Sequence, residues 1–377
     1  MRLACQQEDL NRGLAAVSRA IPARSTLPIT QHVLLEAADD AIVLSATDAE
    51  TIAITYRIKA TITEPGAITM PSRLLADFVS TLPHDEITMT LAERSRQVSL
   101  ACARNTASVG GMDPDDFPPI PVVSGGDSIT IPAARLRAGI AQTVFSAATD
   151  DSRPVLTGVH FGFAGGKLRL AAADGFRLSA HTLQLDGPVP ERNVIVPARA
   201  LSELNRLLGE ASGPVSITFN AAGTQVQFDL GHAKLMAQLI QGTFPNYQQL
   251  IPAAHTTRTE VGVTEFARET RIASIFARDG SGIVRLEATP GVDGAPGRLT
   301  ITARADEVGN NEGELDAVVE GDAAKVAFNS RYLTDVLGVL DVERVAIETT
   351  SPSSPGVFRP VGDDNFIHVV MPMFVQW

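Results

Sequence analysis

Ile68-Thr69-Met70-Pro71-Ser72-Arg73-Leu74-Leu75 returns as Val194-Ile195-Val196-Pro197-Ala198-Arg199-Ala200-Leu201, and again as Val326-Ala327-Phe328-Asn329-Ser330-Arg331-Tyr332-Leu333. Each stretch runs from β-favouring residues into an arginine-bearing segment with helical spacing. The three arginines lie 126 and then 132 residues apart. A second marker, a strand ending in aspartate, repeats with the same spacings at Ala46-Thr47-Asp48, Ala172-Ala173-Asp174 and Ala303-Arg304-Ala305-Asp306. A third, Phe117-Pro118 and Phe244-Pro245, recurs after 127 residues. Agreement of three markers on one period identifies a triplicated chain.

Every copy reads alike. An opening strand enters an amphipathic helix, expected at Glu8–Ile21, Ala134–Ala147 and Glu265–Ala277, where Leu136, Ile140, Val144 and Ala147 mark the apolar face of the second. Alternating strands follow, with hairpin chemistry at Asp39-Asp40 and Gly165-Gly166. The arginine helix is expected at Ser72–Leu82, Ala198–Leu208 and Ser330–Leu340, entered through Pro71, through Pro197, and through Asn329 or Ser330 as a cap. The fold class is therefore α+β, two helices per copy laid on antiparallel sheet. Proline and glycine collect at Asp113–Pro121, Ser124-Gly125-Gly126 and Ile251-Pro252-Ala253-Ala254, which sets the copies at residues 1–122, 127–252 and 256–377. Pro290–Gly297 and Ser351–Gly356 read as loops.

The 377 residues are 44% hydrophobic and 20% charged, enough for two to four domains with their own cores. No run reaches the apolar length of a membrane span, and the start lacks an apolar signal region. Two distant cysteines, Cys5 and Cys102, suit reduced thiols and a cytoplasmic setting. The net charge of −12 argues against a surface basic all over. The cations are nevertheless concentrated. The helical segments with their flanks hold twelve basic and seven acidic residues, a net +5 that leaves −17 for the remainder. One such helix reads as a solvated face. Three copies with arginine at one point read differently: arranged about an axis, Arg73, Arg199 and Arg331 would share an inner wall suited to a polyanion.

The triplication, Arg153-Pro154-Val155-Leu156-Thr157-Gly158-Val159, Ala173-Asp174-Gly175-Phe176-Arg177-Leu178, Phe244-Pro245-Asn246-Tyr247 and Val369-Val370-Met371-Pro372-Met373 together resemble the bacterial β sliding clamps, processivity subunits of the replicative DNA polymerase III. The resemblance covers essentially the whole chain. It implies a head-to-tail homodimer closing a six-domain ring, sheet outside and helices around a hole that passes duplex DNA. Phosphates would be touched and bases left unread. Position matching places Arg24, Arg73, Arg153, Arg199 and Arg331 near DNA, a structural salt bridge being the competing role for each. It places Ala107, Val109, Ile275 and Phe276 at the dimer interface, the first pair small for an apolar contact.

The same resemblance implies a peptide cleft between the second and third domains. There the polymerase, the clamp loader, and repair and translesion proteins dock through short linear motifs. The matching residues are Leu156, Ala173, Gly175, Phe176, Arg177 and Leu178, then Pro245 and Leu250, then Val369, Met371, Pro372 and Met373. Read without the resemblance, this mostly apolar set is ordinary core. Two departures mark the chain: Phe176 stands where histidine is frequent, and Phe374 replaces an arginine, followed by Val375-Gln376-Trp377. They suggest a more apolar cleft, with Trp377 folded over it, packed at its rim, or frayed.

No catalytic reading emerges. His32, His84, His160, His181, His232, His255 and His368 lack metal-ligand spacing, and no nucleophile elbow, P-loop or dinucleotide fingerprint occurs. No cofactor or metal is expected. Asp48, Asp174 and Asp306 are expected in turns. The acids of Asp113-Pro114-Asp115-Asp116 read as a solvated loop rather than a cation site. Three alternatives stand beside a working clamp: an enzyme on a triplicated scaffold, a clamp-like peptide-binding scaffold without the duplex function, and a duplicate clamp with an altered cleft.

Overall fold

The computed structural model describes residues 1–22, 24–123, 128–277, 282–292, 295–305 and 309–376. Among them are six α-helices, two per copy: α1 (Gln7–Val17), α2 (Ser72–Thr81), α3 (Ala133–Thr143), α4 (Ala198–Leu208), α5 (Val263–Ala277) and α6 (Ser330–Leu337). Two of the opening helices stop short of their expected ends because the chain tightens into 3₁₀ turns at Ser18–Ala20 and Val144–Ser146. The N-terminus of α6 is capped by Asn329, whose side-chain oxygen accepts from the Arg331 N–H at 2.9 Å. Gly338 closes the other end, one turn before the expected Leu340.

The chain forms two compact units, Met1–Arg137 with Arg199–Ile240, and Ala138–Ala198 with Gln241–Trp377. Compactness follows the sheets, and the principal sheet of each unit joins strands of two neighbouring copies. In the first unit, a five-stranded sheet ends on the strand Asn105–Gly110. An eight-stranded sheet is continued from copy one to copy two by antiparallel pairing of Ile52–Lys59 with Ala233–Gln238, Tyr56 opposite Ala233 and Ile52 opposite Ala237. In the second unit, twelve described strands form one sheet order, and the junction is Arg177–Gln184 against Phe366–Val370. Ile52–Lys59 and Arg177–Gln184 are the same strand of successive copies, as are Ala233–Gln238 and Phe366–Val370. One pairing rule therefore makes both junctions.

Hairpins fall where the turn residues predict. Asp39 and Gly165-Gly166 all have positive φ, as a tight turn between twisted strands requires. Helices lie close on their sheets. A Cβ on Gly13 would come within 2.8 Å of Leu44, and one on Gly139 within 2.8 Å of Leu170. These glycines are 126 residues apart, a fourth repeat marker that serves helix–sheet approach. Leu10, Leu14 and Val17 of α1 and Leu75 and Val79 of α2 are buried in the first unit. In the second, Phe266 and Ala273 of α5 pack with Leu333 and Val336 of α6, Phe328 and Phe358. No helix among the described residues is long and apolar enough to cross a membrane.

Gly139→Val forces a branched side chain into Leu170 and is expected to cost about 1–3 kcal/mol of overpacking. Urea unfolding of this variant should show that loss, while Gly187→Val, whose Cβ meets nothing within 4 Å, stays within about 0.5 kcal/mol of wild type.

Candidate functional site

The copy-two strand Lys167–Ala173 ends in the turn Asp174-Gly175-Phe176, where Gly175 takes φ +96°. Asp174 holds that turn: one carboxylate oxygen accepts from the N–H groups of Phe176 (2.9 Å) and Arg177 (3.0 Å), and the other from Arg177 Nε at 3.0 Å. Leu178 pairs with Ala173 on one side and Val369 on the other. Beyond the strand ends, the Met371 N–H donates to the Phe176 carbonyl at 2.8 Å. Ala173, Leu178 and Val369 thus share one buried apolar cluster with Tyr247, and Ile251 packs against it.

The exposed rim around this floor is apolar. Phe176 is 60% exposed and Leu250 58%, and Met371 and Pro245 are also open to solvent. Leu156 is buried in the 3₁₀ turn Pro154–Leu156, which Arg153 ties to the Asp174 turn by donating from Nη2 to the Asp174 carbonyl at 3.1 Å. Pro372 follows Met371, but Met373 turns away and donates its N–H to the Ala327 carbonyl at 2.7 Å. The tail continues to Gln376, whose carbonyl accepts from Arg285 Nη2 at 3.2 Å, while Phe374 projects outward. Trp377 lies outside the described residues. Up to Gln376, the recorded hydrogen bonds anchor the tail to copy-three strands.

Arg177 is buried and fully committed. Nε meets Asp174, Nη1 donates to Asp335 Oδ2 at 2.6 Å, and Nη2 donates to the Phe145 carbonyl at 2.7 Å. Its guanidinium carbon is 4.5 Å from the Tyr332 ring centroid and 5.4 Å from that of Phe145. Rather than offering free donors, Arg177 joins copy two to copy three behind the apolar floor. Nearby, fully buried His368 places Nδ1 2.8 Å from Ser179 Oγ, itself 2.8 Å from Ser146 Oγ. Burial, with the Arg177 charge second, pushes the His368 pKa down to about 3.

The repeated arginines have different partners in the three copies. Arg199 Nη1 lies 3.0 Å from Asp48 Oδ2. Burial raises the Asp48 pKa, but the Thr51 hydroxyl and the N–H groups of Ile52, Thr51 and Glu50 outweigh it, leaving a lowered value and a firm carboxylate. Arg199 is thus in a structural pair. Arg73, 96% exposed, and Arg331 make only loose contacts four residues on, to Asp77 (3.9 Å) and Asp335 (4.0 Å). Arg24 is exposed. Arg153 and Arg331 line a cavity of about 210 Å³ together with Phe176 and Arg177, so members of the proposed DNA set and peptide set meet there. Asp48 and Asp174 occupy turns as expected; Asp306 lies outside the described residues.

Of the four expected interface residues, Ile275 is 57% exposed on α5 and Phe276 packs partly on the copy-three core. Val109 is buried and Ala107 half-buried on the same inward face of the edge strand Asn105–Gly110. What that strand presents outward is backbone.

Family models match nearly all of the sequence: the N-terminal domain of the DNA polymerase III beta subunit matches residues 1–121, the central domain 130–246 and the C-terminal domain 248–374. The beta sliding clamp of Synechocystis is 31% identical over 396 residues, covering 99% of each chain. The chain belongs to the β sliding clamp family. Among other clamps, that of Staphylococcus aureus is 30% identical over 94% of each chain. The solved DNA polymerase sliding clamp of Bacillus subtilis superposes over the full length of both chains with TM-score 0.90 at 27% identity. A Pseudomonas aeruginosa sliding clamp solved with griselimycin bound gives TM-score 0.89 at 28%. Three α+β clamp domains with antiparallel sheets are thus the architecture of this clamp-family chain.

Missed by residue-by-residue reading were Asp335, Tyr332, Phe145 and Tyr247. Two of them had a visible signal: Tyr247 ends the Phe244-Pro245-Asn246-Tyr247 motif, and an acid follows each repeated arginine by four residues, at Asp77, Glu203 and Asp335.

Arg177→Ala leaves Asp174 and Asp335 without their shared cation, an expected loss of about 3–5 kcal/mol in urea unfolding. His368 binds its proton near pH 3 folded and near 6.5 unfolded, so the unfolded chain gains protons first as pH falls. Stability should be full above about pH 6.5 and drop by about 1.4 kcal/mol per pH unit below it. His368→Gln should flatten that slope, read as unfolding free energy at pH 7 and pH 5.

Proposed function

We propose that this chain is a DNA sliding clamp. Two protomers would associate head to tail into a ring of six clamp domains, at 1–122, 127–252 and 256–377 in each, around duplex DNA. The observation that carries the reading is the pairing rule of the two internal junctions. In both, the last strand of one copy adds to the Ile52–Lys59-type strand of the copy before it. The last strand of copy one, Asn105–Gly110, ends its sheet as an edge among the described strands. In copy three the strand matching Ile52–Lys59 is Gly309–Gly321, whose Gly309–Ala317 segment pairs with Gly297–Ala305. A second copy supplies each missing neighbour, and closure removes both edges.

Exposed apolar residues flank the two proposed faces: Leu74 on α2, and Ile272 and Ile275 on α5. Phe78 on α2 is partly exposed, whereas its copy-two and copy-three equivalents, Leu204 and Val336, are completely buried. Ala107 and Val109 would then act by keeping the edge strand flat and the backbone available, with Ile275 and Phe276 opposite. Arg24, Arg73, Arg153, Arg199 and Arg331 would meet DNA phosphates transiently, which lets the ring slide. The apolar floor of Ala173, Leu178 and Val369 with the rim of Phe176, Leu250 and Met371 would seat linear motifs of the polymerase catalytic subunit, the clamp loader, and repair and translesion proteins. Leu156, Gly175, Arg177, Pro245, Pro372 and Met373 would shape it. Two apolar anchors contribute roughly 1.5–3 kcal/mol each, partly offset by association entropy, so docking near micromolar is expected. The role is non-catalytic and cytoplasmic.

Sedimentation should give twice the protomer mass, and Ile275→Glu should shift it to one. Loaded on nicked circular DNA, the protein should stay bound and be released on linearisation. Arg73→Gln should change retention on the circle by less than about twofold, since one exposed phosphate contact contributes little. A monomer, or equal loss from circles and linear DNA, would remove the clamp reading.

A further inference from the structure

Behind the proposed cleft, the outer face of the copy-two sheet has a hollow. Gly162 is flanked across its two neighbouring strands by Asn193 and Arg169. A Cβ there would come within 2.9 Å of His160 Cε1 and 3.3 Å of Asn193 Oδ1, so the glycine makes room for the His160–Asn193 pair, bonded at 3.1 Å. The segment 242–248 forms the opposite wall, its Phe244 ring stacked 5.4 Å from His160 and its Tyr247 ring edge-on at 6.3 Å. The resulting recess measures about 450 Å³.

Its chemistry is unusual for this chain. The net charge is −12, yet none of the fourteen lining residues is an aspartate or glutamate. The lining carries Arg169, which makes no salt bridge to any described residue, and the carboxamides of Asn193, Asn246 and Gln248. Of two other recesses of similar size in the first unit, one of about 610 Å³ sets Asp9 and Glu210 among Arg12, Arg57 and Lys59 and so neutralises itself, and one of about 490 Å³, lined by Thr88 and Ser108, carries no charged residue at all. A carboxylate-free hollow with an unpaired guanidinium favours an acidic guest.

The guest's route is also marked. Pro245 lines this recess and belongs to the proposed cleft, and Tyr247, part of its wall, packs on Ala173, Leu178 and Val369. We propose that the recess receives an acidic flank of a peptide whose apolar anchors sit in the cleft, extending the docking footprint to Arg169. This rests on the docking reading above. The other cations beside the cleft, Arg153 and Arg331, share their cavity with Asp150 and Asp174, so the gain of an acidic flank is expected at Arg169.

The test uses the full-length protein and fluorescence anisotropy with two peptides sharing a Leu-Phe anchor pair, flanked on both sides by three aspartates or by three asparagines. On wild type the acidic peptide should bind about three- to fivefold tighter, the size of a partly exposed charge pair. The advantage should shrink with added salt. In Arg169→Gln, checked for an unchanged fold by circular dichroism, the two peptides should bind equally. Equal affinities on wild type, or an advantage that survives Arg169→Gln, would overturn the inference while the asparagine peptide still reports a working cleft. Failure of the asparagine peptide to bind would remove the docking reading and this inference with it. A thymidine decanucleotide that competes with the acidic peptide and depends on Arg169 would reassign the recess to nucleic acid and overturn the proposal.

Discussion

An antiparallel strand offers hydrogen-bonding groups along both edges, and a copy of this unit cannot satisfy both alone. The strand Ile52–Lys59 finds one neighbour inside its own copy, Ala41–Thr47, and takes the other from copy two. Arg177–Gln184 repeats the arrangement one copy later. Tandem duplication of such a unit propagates a sheet and always leaves one edge at each end. A linear chain of three copies is therefore an open segment, and association with itself is the economical way to finish it. The proposed encirclement of DNA would depend on that closure.

The two internal junctions share one strand pairing but differ in the side chains around it. At the first, Ala49, Glu50 and Thr51 occupy the places of Gly175, Phe176 and Arg177 at the second. Asp48 is braced by Thr51 and by Arg199 from the next copy, and Arg19 reaches Glu203. At the second junction a single buried Arg177 spans Asp174 and Asp335. The linker also differs. Val123 is buried on Ala53 and Met236, with Ile120 against them, leaving a cavity of only about 50 Å³ at the first junction. At the second, Tyr247 fills the matching space while Phe176, Leu250 and Met371 remain exposed around it. One junction is sealed by its own chain; the other keeps an apolar rim uncovered. That contrast explains why a repeated architecture need not carry repeated docking sites.

How much of this was legible depended on whether the determinants were local or repeated. The helix Ala198–Leu208 falls where Pro197 and the leucine spacing put it, and the hairpins at Asp39 and Gly165 follow from turn chemistry. The ends of α1 and α3 were overrun because a 3₁₀ turn preserves apolar periodicity while changing the hydrogen bonding. Site floor residues such as Leu178 and Val369 came from resemblance alone, since an apolar strand pair looks the same in a core and under a cleft. The Arg177–Asp335 bond spans 158 positions, and no local pattern announces which acid a buried arginine will find. Val109, expected at an interface through the resemblance, is turned inward by strand alternation, so its side chain is buried.

Holding by topology places different demands on charge than holding by affinity. A protein that grips DNA tightly needs many paired phosphates, and each adds to the salt dependence and to the friction of movement. A closed ring needs only enough positive potential to centre the duplex, and excess would slow it. The balance found here, net cations on the helical segments and a large acidic surplus elsewhere, is what the proposed sliding ring would need. It also accounts for Arg199. An arginine tied to Asp48 presents a weakened charge, because the pair sums to nearly zero, and would make a weaker phosphate contact than an unpaired one. The same aspartate that braces the first internal sheet junction therefore also lowers the charge that Arg199 presents.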